Sequence, residues 1–171
     1  MENLLFILAT TYFLSRAPWK FGFKKYSIGH TGCTLLLPQN TGKFSTSFTN
    51  AKDMMHFKEL TRGEVTYGSV VIQLLEPLDV MAEAEKKLAL FMNTLQASYD
   101  VECNTGLALG FTQKQNPLAR GIVDYWQDSD GVDFKVKGWT NGRFIAVLYI
   151  RNISEVPVAK QEMYLDSLQF A

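Results

Sequence analysis

Residues 122–150 read IVDYWQDSDGVDFKVKGWTNGRFIAVLYI. Three strand-like runs, 122–127, 132–139 and 144–150, are separated by Asp130-Gly131 and Asn141-Gly142. Such dipeptides supply the positive φ angles that tight hairpin turns require, so the spacing predicts three consecutive antiparallel neighbours. Upstream, 106–112 reads as a fourth strand of the same meander.

Before the meander, Met81, Ala84, Leu88, Phe91, Met92 and Leu95 recur at helical spacing, with Glu83, Glu85, Lys86, Lys87 and Asn93 on the other side. That is an amphipathic helix. Glu76-Pro77 ends the preceding segment, and Asp79 is placed to cap the helix N-terminus. Residues 65–75 carry apolar and β-branched side chains at both parities, which predicts a central strand buried on both faces. Residues 39–62 are rich in Thr, Ser, Asn, Lys and Gly and read as a long loop or loose hairpin. Phe44, Phe48, Met54, Met55 and Phe57 are its expected hydrophobic anchors.

Further back, Trp19, Phe21 and Phe23 alternate with Lys20, Gly22 and Lys24, as in a half-buried strand. The glycines at 29 and 32 should turn the chain into a second short strand, 33–37, ending at Pro38. After the meander, Pro157 suits a first helical turn. A short terminal helix should then place Val158, Leu165 and Leu168 on one side, with Tyr164 beside them. Strands, helix, antiparallel strands and helix make an α+β chain, with a twisted antiparallel sheet flanked by helices around one core. At 171 residues, 47% apolar and 20% charged, the chain suits one domain, residues 18–171.

Residues 1–17 stand apart. The eleven-residue run LLFILATTYFL, 4–14, is short of the roughly 20 residues needed to cross a bilayer as a helix. Only Glu2 precedes it, where a secretory signal would carry a basic residue. An uncleaved structural segment of a cytoplasmic protein is the expectation, with no transmembrane span. The alternative is an export signal, or an interfacial anchor helped by Lys20, Lys24 and Lys25.

The element order resembles the Mog1/PsbP-like fold, an α/β/α sandwich with a central antiparallel sheet. The matching features are the early strand pair ending Leu35-Leu36-Leu37-Pro38, the strand 65–75 followed by a long helix, and the hairpin GWTNGRF, 138–144. The closing run EMYLDSLQF, 162–170, looks like the "FLDSF" ending common in such domains, with Tyr164 and Leu168 where that pattern has Phe. The resemblance implies an accessory or binding domain and carries over no particular ligand or site residue.

Composition excludes several classes of function. Seventeen basic and seventeen acidic side chains leave no global field for a polyanion, so no nucleic-acid partner is expected. There is no phosphate-cradling glycine loop and no G-x-S-x-G elbow, and no cofactor is expected. His30 and Cys33, with His56 and Cys103, make the one soft-metal or Cys-His set, but they form one close pair where zinc uses two, so no metal is expected. The two cysteines read as buried free thiols, a disulfide remaining open if their strands meet. Asp128, Asp130, Gly131 and Asp133 imitate the start of a calcium loop, yet the twelfth position is Trp139 and strands flank the segment, so a hairpin turn is the reading.

The residues left to contact a partner are Tyr125, Trp126, Trp139 and Arg143, although burial is the commoner fate of tryptophan and alternation puts Tyr125 and Trp126 on opposite faces. The expected function is a non-enzymatic binding or accessory domain. It would act through protein contacts or a small apolar ligand, using the exposed sheet surface or the 39–62 segment. A small hydrolase or transferase with dispersed catalytic residues is the rival, and a membrane-surface protein the third reading.

Overall fold

The computed structural model describes residues 22–39 and 41–171. The chain runs β1 (Phe23–Ser27), β2 (Thr34–Pro38), β3 (Ser45–Phe48), β4 (Met54–Arg62), β5 (Val65–Gln73), α1 (Met81–Ser98), β6 (Val101–Asn104) and β7 (Ala108–Phe111). It continues β8 (Arg120–Asp128), β9 (Asp133–Thr140), β10 (Phe144–Arg151), a 3₁₀ turn (Ile153–Glu155) and α2 (Val158–Leu165). An eight-stranded sheet has the order β3-β4-β5-β10-β9-β8-β6, and β7 pairs with β8 as well. Its described pairings are antiparallel, while β1 and β2 form a separate hairpin.

The meander forms as the dipeptides predict, with β8 on β9 and β9 on β10. Within the two turns only the glycines take positive φ, Gly131 at 75° and Gly142 at 83°. Side chains supply the remaining geometry. Asp128 Oδ1 accepts the backbone N–H of Asp130 and Val132, and Asn141 Oδ1 accepts those of Arg143 and Phe144.

Because β5 and β10 lie in the middle of the sheet, their side chains are buried on both faces. One face packs Val70, Ile72, Ile122, Phe134, Val136 and Val147 against Leu88 and Met92 of α1. The other packs Tyr67, Val71, Ala146 and Leu148 beneath the β1–β2 hairpin and the C-terminal segment, through Ile28, Cys33, Leu35, Leu37, Tyr164, Leu165 and Leu168. Antiparallel strands layered with helices, the α+β class, is therefore what the chain forms.

Four expectations need correcting. Of the two readings of 39–62 the hairpin holds and the loop does not: β3 pairs with the start of β4, and β4 is a nine-residue strand that pairs along the whole of β5, so cross-strand hydrogen bonds override a polar composition. Residues 101–104 add a short strand, and the next strand is confined to 108–111. Asp79 does not cap α1; Val80 holds the N-cap position without a side-chain hydrogen bond. Val158 is exposed, while Leu168 is buried beyond the helix end. The apolar run 4–14 lies outside the described residues, as do Trp19, Lys20 and Phe21. Among the described residues no helix is long and apolar enough to cross a membrane.

The second face is tied to α2 by charge. Lys135 and Lys137 on β9 are nearly buried, and both reach Glu162 of α2, the Lys137–Glu162 distance being 3.4 Å; Lys137 also meets Asp166 at 2.6 Å. Burial opposes ionisation of Glu162, but the two ammonium groups outweigh it and hold the carboxyl below its ordinary value of 4.5. Its folded pKa thus lies under its unfolded one, so the stabilisation is complete above about pH 4.5 and is lost as pH falls through the lower folded value. Glu162→Gln should cost about 1–2 kcal/mol at pH 7, the carboxylate being part-exposed and the two lysines nearly buried. In urea titrations the gap between wild type and variant should narrow as pH falls below about 4.5. A gap that is the same at pH 3 as at pH 7 would exclude this origin.

Candidate functional site

The structure separates the four side chains that sequence reasoning grouped as a contact patch. Trp126 and Trp139 are both 2% exposed and belong to the cores on opposite faces of the sheet. Trp126 donates its indole N–H to Asp124 Oδ2 at 2.8 Å, and Trp139 donates to the carbonyl of Leu165 at 3.0 Å. A patch built on the indoles is therefore corrected: the apolar rings bury, and each N–H finds a protein acceptor. Tyr125 is 40% exposed on the α2 side, with the Lys135 ammonium 5.6 Å from its ring centroid. Arg143 sits far from it, at the tip of the β9–β10 hairpin.

Two clefts remain. The first, about 370 Å³, is polar and lies between β4, the end of α1 and the β8–β9 turn; Glu59, Tyr99, Asp128, Asp130 and Arg151 are among its lining residues. Tyr149 beneath it donates its hydroxyl to Glu59 at 2.6 Å and so accepts from the Tyr99 hydroxyl at 2.5 Å. Arg151 donates Nε and Nη2 to Asp128 Oδ2, at 3.0 and 2.7 Å. Burial pushes the phenols of Tyr99 and Tyr149 up. Burial would raise Asp128 too, but the Val132 and Asp130 amides and the Arg151 guanidinium prevail and hold its carboxyl below the usual range. Tyr99, Tyr149 and Asp128 are thus held in one charge state around neutral pH, the opposite of the tuning that general acid–base catalysis uses.

The second cleft, about 400 Å³, is lined by Phe48, Lys52, Met54, Gln73, Leu74, Leu75, Pro77 and Arg143. Three loops build it, and each is stapled to the next. In the β3–β4 turn Thr49 and Asp53 bond through their backbones at 2.9 Å, and Lys52 at the tip takes a left-handed φ of 64°. Asp53 Oδ1 accepts the Leu75 N–H at 2.9 Å, which joins this turn to the β5–α1 loop, and Lys87 of α1 lies 3.7 Å from its other oxygen. The β9–β10 tip closes the third side, where the Leu74 N–H reaches the Arg143 carbonyl at 3.0 Å and the Leu78 N–H the Gly142 carbonyl at 2.8 Å. A Cβ at 142 would stand 2.3 Å from the Leu78 carbonyl oxygen, so this approach requires glycine twice over.

The cleft's walls are apolar and open. Phe48 is 67% exposed and Leu75 64% exposed, whereas the reading of 39–62 made Phe48 a core anchor. Its position explains the difference: β3 is the edge strand and Phe48 its last residue, with a neighbouring strand on one side only. Lys52 and Arg143 bring positive charge, and neither has an ion-pair partner among the described residues. The signal for Leu75 was its place between a buried strand and Glu76-Pro77, where an apolar residue has no partner strand to face.

The other candidate sets do not assemble. Cys33 is buried, its thiol pushed up by burial, while Cys103 is exposed, contrary to the expected burial of both, and the two thiols are free. His30 lies exposed in the β1–β2 turn. His56, 2% exposed, places Nδ1 3.1 Å from the Thr46 hydroxyl, and burial lowers its pKa. Among the described residues no three His, Cys, Asp or Glu side chains are grouped to hold a metal ion. Asp128, Asp130 and Asp133 belong to the hairpin turn, as their spacing suggested. No protein-family model matches the chain, and no curated protein aligns with it.

Proposed function

We propose that the chain is a non-enzymatic binding domain whose contact site is the cleft between the β3–β4 turn, the β5–α1 loop and the β9–β10 tip. The observation that carries this reading is the pair Phe48 and Leu75, large apolar side chains left mostly exposed in the lining of one concave, partly apolar surface. Exposed apolar residues grouped around a concavity mark binding sites more often than scattered ones do. The hydrogen bonds that staple its three loops mean that little ordering entropy is lost when a ligand enters. The charge states fixed at Tyr99, Tyr149 and Asp128 favour binding over proton-transfer chemistry there, and the resemblance to Mog1/PsbP-like accessory domains points the same way.

The test is a titration of the ¹⁵N-labelled protein with 1-octanol. Saturable shifts are expected at the amides of residues 48–54, 73–76 and 143, and they should vanish in the Phe48→Ser, Leu75→Ser double variant. Unsaturable shifts scattered over the surface would overturn the proposal.

A further inference from the structure

Resting on that reading, we propose that the natural occupant of the cleft is a small anionic amphiphile, an alkyl or aryl carboxylate. Its apolar part would lie over Met54 and Leu74 between Phe48 and Leu75, and its carboxylate would be held between Lys52 and Arg143. The volume, about 400 Å³, falls in the range of small-ligand sites.

The charge balance of the lining selects the sign of the ligand. Lys52 and Arg143 are its charged members, both cationic, and Gln73 can donate a further hydrogen bond from its side-chain amide. No carboxylate of the described residues is paired with either cation. The acidic groups nearby in sequence are otherwise placed. Asp53 is buried, spending one oxygen on the Leu75 amide and the other on Lys87, while Glu76 and Asp79 do not line the cleft.

Arg143 is also oriented. Its guanidinium carbon lies 5.8 Å from the Phe144 ring centroid, and its backbone is held by the Asn141 carboxamide and by Leu74. A guanidinium stacked on an aromatic ring keeps its edge donors free for a planar carboxylate. Lys52 stands on the opposing turn, kept in its left-handed conformation by the Thr49–Asp53 bonds. An apolar floor beside two cations that have no ion-pair partner among the described residues is complementary to a carboxylate on a short hydrocarbon, and neither a neutral nor a cationic amphiphile uses both features.

The experiment compares octanoate, 1-octanol and octylamine by the same amide shifts and by calorimetry at low salt. Octanoate should bind about ten-fold tighter than octanol, as expected for a charge-assisted contact beside water, and octylamine weakest. The advantage of octanoate should shrink as sodium chloride screens the cations. Arg143→Gln and Lys52→Asn should each reduce octanoate affinity about five- to ten-fold and octanol affinity by less than about two-fold. Asn accepts the left-handed backbone at position 52, and both side chains are exposed, so an unchanged Tm is the check on folding.

Equal affinities for octanoate and octanol would overturn the anion assignment and leave the binding site standing. Failure of all three to bind would overturn both. Tighter binding of N-acetyl-Leu-Leu with a free carboxylate than of octanoate would also overturn the small-molecule occupant, in favour of a peptide C-terminus.

Discussion

Trp139→Ala should destabilise the protein by about 3–5 kcal/mol, the range for removing a large aromatic from a closed core. The side chain is 2% exposed on the face covered by α2, and its indole lies across Gly121, where a Cβ would stand 2.4 Å from ring carbon Cζ3. It also holds the end of α2 in place through the 3.0 Å bond to the Leu165 carbonyl. Truncation leaves a cavity and an acceptor without its donor. Urea denaturation should show a lower midpoint with an unchanged m-value. Trp139→Phe, which keeps most of the bulk and removes the N–H, should cost less, about 1–3 kcal/mol. Binding of 1-octanol by the Phe variant should match wild type, since Trp139 does not line the cleft. An alanine variant that loses under about 1 kcal/mol would remove Trp139 from the core described here.

Gly68→Ala should cost about 2–4 kcal/mol through overpacking and broken hydrogen bonds. Gly68 is the cross-strand partner of both Tyr149 and Glu59, and the Tyr149 ring crosses it to reach that carboxylate. A Cβ at 68 would lie 1.8 Å from Tyr149 Cζ. The ring must swing away and break its bonds to Glu59 and Tyr99. From the other face the Tyr164 hydroxyl grips the Gly68 carbonyl at 2.7 Å, so the backbone cannot retreat cheaply. A double-variant cycle isolates the cause. In a Tyr149→Ala background the same Gly68→Ala change should cost under about 1 kcal/mol, because the obstructing ring is gone. Equal costs in the two backgrounds would mean that backbone strain, not the ring, is responsible.

How much of this was legible depends on whether a side chain's role is local. The β8–β10 meander follows from alternation and two turn dipeptides, and α1 from a 3.6-residue stripe, because both signals act within one element or across one turn. Residues 54–62 carry no such signal. Their neighbours on one side, Val65 to Gln73, are close in sequence, but the hydrogen bonds that make them a strand are satisfied only when β5 itself sits against β10. The four residues 101–104 are shorter still, and pair with β8 more than twenty positions later.

The candidate site was the least legible part. Arg143 was singled out for standing near Trp139 in sequence, yet the residues it joins, Phe48, Lys52 and Leu75, come from segments about 70 to 95 positions earlier. Tyr125 and Trp126 were placed on opposite faces by alternation alone, and the structure bears that out.

The α+β class, the three-strand meander, the amphipathic helix and the two-sided burial of 65–72 were determined by the sequence itself, since periodicity and turn chemistry are properties of neighbouring residues. The tertiary structure alone decided that Trp126 and Trp139 are core, that Phe48 and Leu75 are surface, and that Lys52 and Arg143, without an ion-pair partner among the described residues, line the same cleft as that surface pair. Burial and charge pairing depend on what the rest of the chain brings to a face, and no local pattern records that.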